Sequence, residues 1–233
     1  MKKFLIYVTL GANTRLSIGD VIMLFQRART KEQIEDRKQE ILEACKKLYI
    51  QGGYEAISMN EISKATSVSR ASLYTYYSTK EEILLSLLQQ CYLELEEVLR
   101  SDFESCESMN KEDFSELLAR RWSENDLLIR LTSIHYITLE QKCSQEKLND
   151  YKTNLRPFFE TFDGGIKKYF PHLSREEIQE FGVLFFSLMN GLYFMTHLSS
   201  KQTEALKKGI PDYISFDFYE ISKVGIYALM QKF

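Results

Sequence analysis

The sequence predicts an all-α protein, and three observations lead to this prediction. Apolar residues recur at three- and four-residue intervals along most of the chain, whereas the two-residue alternation of a strand is rare. The 233 residues include only three prolines and ten glycines, so long helices can run without interruption. The apolar share of 44% is ordinary for a globular protein, and the length suits one large domain or two small ones.

Four helices are predicted in the first hundred residues: 33–51, 58–65, 69–77 and 79–100. The glycine pair 52–53 ends the first helix, since glycine readily adopts a positive φ there. Ser58 opens the second, with Glu61 placed three residues later as in a capping box. Ser69 opens the third, and the Ser-Thr pair 78–79 can cap the fourth.

The rest of the chain is predicted to form further helices at 111–122, 125–142, 146–170, 174–199 and 213–231, joined by connectors such as "SCESMN" and "KKGIPD". Charge separates this part from the first. Residues 27–80 carry ten Lys or Arg and seven Asp or Glu, whereas residues 81–233 carry 17 and 25. A mildly basic segment joined to an acidic body suits a protein that contacts nucleic acid at one end.

The two short helices, separated by "TSV", have the layout of a helix-turn-helix, whose second helix enters the major groove of DNA. The apolar positions expected to pack these helices together are Ile62, Ala65, Val68 and Leu73. The residues predicted to contact DNA are Ser58, Asn60, Ser69, Arg70, Ala71, Ser72, Tyr74, Thr75, Tyr76 and Lys80. Arginine can bind guanine edges, hydroxyls can bind phosphates or bases, and tyrosine rings can contact thymine methyls. Lys80 and the free amides at the start of the fourth helix are expected to hold a phosphate. The alternative is a compact helical hairpin with tyrosines on its surface.

The segment "SMNEISKATSVSRASLYTYYSTKEEILLSLL" resembles the amino-terminal domain of the TetR family of transcriptional repressors, over about residues 35–95. The matching positions are Gly53, Ile62, Ala65, Val68, Ser69, Leu73, Tyr74, Tyr77 and Lys80. Thr66 and Ser67 stand where the family usually has Ala-Gly, and Tyr77 stands where Phe is commoner. Ser67 would cost up to about 1 kcal/mol if its φ were positive.

The resemblance implies a DNA-binding domain at 31–80 and an effector-binding and dimerisation domain at 81–233. It implies a homodimer formed through helices 174–199 and 213–231, which binds a palindromic DNA operator. It also implies a small apolar or aromatic effector that releases the protein from this operator. The side chains expected around the effector are Trp122, His135, Tyr136, Phe158, Phe159 and Phe162, although aromatic stripes of this kind often only form a core. Residues 181–198 are apolar enough to suggest a membrane span. We expect instead a helix that is buried on one side by its own domain and on the other by a partner, with no membrane contact.

Several classes of function are not expected. Cys45, Cys91, Cys106 and Cys143 are widely spaced, and the three histidines are scattered, so no zinc spacing is present. No nucleophile elbow or glycine-rich phosphate loop occurs, so we expect neither an enzyme nor a cofactor. A helical interaction protein that does not bind DNA is the main alternative, and an enzyme such as a Cys/His hydrolase is a weaker one.

Residues 1–30 are the hardest part to interpret. Their start, "MKKFLIYVTLGA", has the basic, apolar and small-residue order of a signal peptide. We expect instead a dispensable extension ahead of a start near Met23, because a protein that binds DNA must remain in the cytoplasm.

Overall fold

The computed structural model describes residues 30–233, and in that range it contains eleven α-helices and no strand. The all-α prediction is therefore confirmed. The helices are α1 Lys31–Gly52, α2 Met59–Lys64, α3 Arg70–Tyr76, α4 Lys80–Ser105, α5 Lys111–Ser123, α6 Asp126–Ile134, α7 Gln145–Asn154, α8 Arg156–Tyr169, α9 Arg175–Thr196, α10 Ser200–Gly209 and α11 Phe218–Met230. The expected extension at 1–30 and its signal-peptide alternative lie outside the described residues, apart from Thr30.

Helices α1, α2 and α3 pack around a small apolar centre. Ile41 of α1, Ile62 of α2 and Leu73 of α3 are fully buried, and Val68 of the connecting turn is 5% exposed. The prediction was wrong for Ala65, which follows the last residue of α2 and is exposed. A methyl group at a helix end has no facing element to pack against, so three side chains rather than four hold the two short helices.

The predicted caps lie where the sequence placed them. The Ser58 hydroxyl accepts the Glu61 amide at 3.1 Å, and Ser69 and Thr79 cap α3 and α4 in the same way. Only half of the expected capping box forms, because the Glu61 carboxylate binds Lys64 at 2.8 Å instead. Gly53 ends α1 with a φ of 66°, a conformation that side chains other than glycine rarely adopt.

Helix α4 connects the two parts of the molecule. It is longer than the predicted 79–100, and it packs against α1 as well as α6, α7 and α8. Its predicted apolar stripe is buried except for Val98, which is 40% exposed. At the other end of the body, α11 packs against α5 and α9.

Two predicted helices of the body are broken. The predicted helix 146–170 is interrupted at Leu155, and Pro157 lies in the first turn of the new helix α8. Proline lacks an amide proton, so it is tolerated in a first turn but breaks a helix interior. The predicted helix 125–142 is α-helical only to Ile134 and continues as a π-helical turn, His135–Leu139, and a 3₁₀ turn, Glu140–Lys142.

The carboxy-terminal prediction needs two further corrections. Helix α11 begins at Phe218 rather than 213, with Asp217 as its capping residue. Helix α10, which was not predicted, fills the interval after α9 and has no buried residue. A polar surface helix lacks the apolar stripe on which sequence recognition depends.

Candidate nucleic-acid interface and ligand cavity

Helix α3 presents a polar and aromatic surface to solvent because Leu73 anchors its other side. Tyr74 is 49% exposed, although a tyrosine ring usually gains from burial. The predicted DNA contacts that are exposed are Ser58, Asn60, Ser69, Arg70, Ala71, Ser72, Tyr74 and Thr75. Tyr76 is half-buried and packs against the core, so its ring is the least available of the predicted contacts on α3.

The turn between α2 and α3 is held by a polar cluster that the sequence did not reveal. Glu40 of α1 accepts the Ser67 amide at 2.5 Å and the Ser67 hydroxyl at 2.9 Å. Arg37 donates to Glu40 at 2.8 Å and also to the Ser67 hydroxyl. Partial burial raises the pKa of Glu40, but these donors hold it below its usual value. Among the described non-glycine residues only Asp212 has a positive φ, so Ser67 is not strained.

Lys80 lies in a different setting from the one predicted. Its ammonium donates to the carbonyl oxygens of Tyr54 at 3.1 Å and Ile57 at 2.9 Å, and it lies 3.8 Å from the centre of the Tyr54 ring. Two amides near the start of α4 are also engaged. The Glu82 carboxylate accepts the Ser78 amide at 2.7 Å, and the Thr79 hydroxyl accepts the Glu82 amide at 3.2 Å. These contacts favour a structural role for Lys80 over a phosphate contact.

Two sets of hydrogen bonds join the helix-turn-helix part to the body. Tyr49 of α1 donates from its hydroxyl to the Arg130 carbonyl at 3.0 Å, and Arg130 donates to the Tyr49 carbonyl at 3.2 Å. Lys142 donates to the Tyr54 hydroxyl at 3.0 Å, and that hydroxyl donates to the buried Glu81 carboxylate. The helix α6 and the turn after it are therefore tied directly to the amino-terminal helices.

A cavity of about 110 Å³ lies within the body, beside these links. Of the predicted residues, Trp122, His135, Tyr136 and Phe159 line it. Phe158 and Phe162 do not line it and are fully buried in an aromatic core with Phe181 and Phe185. The other residues that line the cavity were not assigned to an effector pocket from the sequence: Tyr92, Ile129, Thr132, Tyr151, Lys152, Leu155, Phe186, Met189 and Asn190.

His135 is held as a neutral side chain at the cavity wall. Its Nδ1 lies 2.7 Å from the Thr132 carbonyl, an acceptor only, so Nδ1 carries a proton. Burial lowers the pKa of His135, although the Thr132 carbonyl and Glu140 oppose this. Glu140 lies 3.8 Å from Nε2 and accepts from Lys152 at 2.5 Å. Glu140 therefore pairs with Lys152, which lines the cavity, while Glu140 itself lies outside the cavity wall.

Helices α9 and α11 expose a wide apolar surface. Val183 is 69% exposed, Phe194 55%, Met195 71%, Val224 60% and Tyr227 43%. Helix α9 is also the one described helix long and apolar enough to cross a membrane, and 22% of its most apolar window is buried. A core helix of a soluble protein passes the same test of length and composition.

The thiols and acidic groups of residues 30–233 offer no metal site. Burial raises the pKa of Cys45, Cys91 and Cys143 to about 12, so these thiols remain protonated. Within residues 30–233, no group of three or more His, Cys, Asp or Glu side chains is placed to hold a metal ion.

Two protein-family models match the chain in consecutive segments. Residues 41–87 match the model for bacterial regulatory proteins of the tetR family, and residues 88–229 match the tetracyclin repressor-like C-terminal domain. The boundary between the two matches lies within α4.

Similar curated proteins are HTH-type transcriptional regulators. QacR of Staphylococcus aureus is 30% identical over 117 residues, which cover 50% of this chain and 57% of QacR. YuxN of Bacillus subtilis is 36% identical over 59 residues, which cover 25% of this chain and 20% of YuxN. The aligned segments thus span less than two thirds of either relative.

Solved structures share the fold at low sequence identity. FadR from Bacillus subtilis, in complex with stearoyl-CoA, has a TM-score of 0.55 and 15% identity, covering 84% of this chain and 98% of FadR. A TetR-family regulator from Mesorhizobium loti has a TM-score of 0.52 and 16% identity, covering 88% and 98%. The second family model matches more than half of the residues of this chain. The chain therefore belongs to the TetR family of bacterial transcriptional regulators.

Proposed function

We propose that this protein is a homodimeric repressor that binds a palindromic DNA operator and is released by a small effector. The observation that carries this proposal is the exposed face of α3, where Arg70 and Tyr74 point away from a side anchored by Leu73. On this proposal residues 31–80 form the DNA-binding domain, and residues 81–233 bind the effector and the second subunit. Such a protein acts in the cytoplasm.

The geometry of α3 supports DNA binding in the major groove. Arg70 can form two hydrogen bonds with a guanine, and the Tyr74 ring can contact a thymine methyl or a sugar. The hydroxyls of Ser72 and Thr75 are short donors suited to phosphates or base edges. Glu40 and Arg37 fix the turn that precedes α3, so they would orient the reading helix without contacting DNA.

The exposed surface of α9 and α11 supports dimerisation. Contiguous apolar area of this kind on a soluble protein usually marks an interaction site. Helix pairs from two subunits would bury Val183, Phe194 and Met195 in a four-helix interface. A twofold dimer presents two equivalent copies of α3, so the operator half-sites share that symmetry and lie about one helical turn apart.

The cavity supports control by an effector because its walls belong to elements that hold the DNA-binding domain. Tyr92 places α4 in the wall, and α4 also packs against α1. His135 and Tyr136 place the π-helical turn in the wall, and the next turn carries Lys142, which binds Tyr54. A ligand that moves these elements changes the placement of α3 in each subunit.

A mobility-shift experiment with the DNA upstream of the gene tests the proposal. We expect a shifted complex with wild-type protein, loss of the shift in Tyr74→Ala, and a footprint with twofold symmetry. A control is Ile137→Ala, which shortens a 76% exposed side chain outside both the DNA-binding domain and the proposed dimer helices. If neither the wild-type protein nor the control variant shifts any fragment of the upstream DNA, the result favours a helical interaction protein that does not bind DNA.

A further inference from the structure

Two tyrosines in the cavity wall have hydroxyls without a hydrogen-bond partner in the described protein. Tyr92 is 7% exposed and Tyr151 is 3% exposed, and both line the cavity. Neither hydroxyl has a hydrogen bond with any residue in the described part of the chain. Polar groups inside folded proteins are nearly always paired with protein, water or a ligand, so both hydroxyls are free to bind a molecule that enters the cavity.

Both hydroxyls are available as donors. Burial raises the pKa of Tyr92 and of Tyr151, and their closeness to each other, to Tyr136 and to Glu140 raises it further. The phenols therefore stay protonated at neutral pH, and each can give its proton to an oxygen of a ligand.

The cation position of the cavity is already filled by the protein. The Lys152 ammonium lies 5.3 Å from the ring centres of both Tyr136 and Tyr151, and 2.5 Å from Glu140. A cationic ligand would have to displace Lys152 from two aromatic rings and from the Glu140 carboxylate. Among the described residues that line the cavity, Lys152 is the only charged one, and none carries a carboxylate.

The size and walls of the cavity point to a flat, small ligand. Its volume of about 110 Å³ is of the order of the engineered apolar cavity, roughly 150 Å³, that admits benzene. Trp122, Phe159 and Phe186 supply aromatic walls, and Ile129 and Met189 supply aliphatic ones.

We infer that the cavity binds a single-ring aromatic carboxylate, with its ring between the aromatic walls and its carboxylate accepting from Tyr92 and Tyr151 near Lys152. This inference rests on the proposed function, because it names the chemical class of the effector. It sets the charge and the size of the ligand, neither of which the family assignment supplies.

The test uses benzoate and benzylamine, which have similar rings and opposite charges at neutral pH. Trp122 is the only tryptophan of the chain, so its fluorescence reports occupancy of the cavity in the full-length protein without DNA. We expect benzoate to bind about tenfold or more tightly than benzylamine, a difference of about 1.4 kcal/mol. Equal or tighter binding of benzylamine, or no binding of benzoate, would overturn the inference.

Variants identify the groups responsible. Tyr92→Phe and Tyr151→Phe remove only a hydroxyl, and each should weaken benzoate binding about fivefold, as expected for one hydrogen bond. The control Tyr213→Phe removes a hydroxyl outside the cavity and should have no effect. Lys152→Gln changes an exposed residue that does not support the core. It should lower the ratio of benzoate affinity to benzylamine affinity. Benzoate affinity that is unchanged in all three cavity variants would contradict the assignment.

Two further measurements separate this inference from the proposed function. If benzoate binds with the expected dependence on Tyr92 and Tyr151 but never releases operator DNA, the inference holds and effector control fails. If stearoyl-CoA, which is bound in the FadR structure, releases the DNA while benzoate does not bind, the inference fails and effector control holds.

Discussion

Lys80→Met tests whether Lys80 holds the fold or a DNA phosphate. The substitution keeps the length of the side chain but removes both donors to the carbonyls of Tyr54 and Ile57. Hydrogen bonds from charged groups contribute about 1.5–3 kcal/mol each, and Lys80 is only half-buried, so we expect a total loss near the lower end, about 2 kcal/mol. For a chain of this length, that loss lowers the midpoint of thermal unfolding by about 4–8 °C.

The assay pairs thermal unfolding with the salt dependence of operator binding. A phosphate contact would add about 0.9 to the salt slope in each subunit, or roughly 1.8 in a dimer, whereas a structural lysine adds nothing. Lys208→Met, an exposed lysine of α10, is the matched control and should change neither quantity. An unchanged unfolding midpoint together with a slope lowered by about 1.8 would refute the structural role and restore the phosphate contact.

Further predictions concern the reading helix, the dimer and the cavity. Arg70→Ala and Tyr74→Ala should each weaken specific operator binding by about 1–3 kcal/mol while the unfolding midpoint stays unchanged. Val183→Glu should yield folded monomers in sedimentation at micromolar concentration, whereas Ile137→Glu, equally exposed on the π-helical turn, should leave the dimer intact. Burial lowers the pKa of His135 in the folded state, so the unfolded chain binds more protons below about pH 6.5. Stability should therefore fall as the pH drops below that value, and urea unfolding of His135→Gln should show a smaller fall.

Local signals in the sequence predicted most of the amino-terminal domain. The N-caps and the glycine turn act within a few residues, so Ser58, Ser69 and Gly53 could be assigned without knowledge of the fold. The cluster of Arg37, Glu40 and Ser67 could not, because it joins residues 27 to 30 positions apart whose meeting depends on how α1 packs. For the same reason Lys80 was predicted to hold a phosphate. The sequence does not show that its ammonium donates to the carbonyl oxygens of Tyr54 and Ile57, which lie earlier in the chain.

The cavity shows a second limit of sequence reasoning. Phe158 and Phe159 are neighbours in α8, yet one lies in the core and the other lines the cavity, since adjacent residues on a helix point about 100° apart. An aromatic stripe shows that a helix is buried without showing which ring faces a space. Only the placement of Tyr92 and Tyr151 in the fold shows that both line the cavity and that neither hydroxyl has a partner among the described residues.

The structure shows more than one connection through which an effector can change DNA binding. Helix α4 is one link between the cavity and the DNA-binding domain. In addition, α6 binds α1 through Arg130 and Tyr49, and the π-helical turn leads to Lys142 and Tyr54. A ligand shifts the balance between two arrangements only if it binds them with different affinities. A coupling of about 1–3 kcal/mol is typical of such systems, and it must appear equally in both binding equilibria. Operator DNA should therefore weaken the effector by the same factor by which the effector weakens operator DNA.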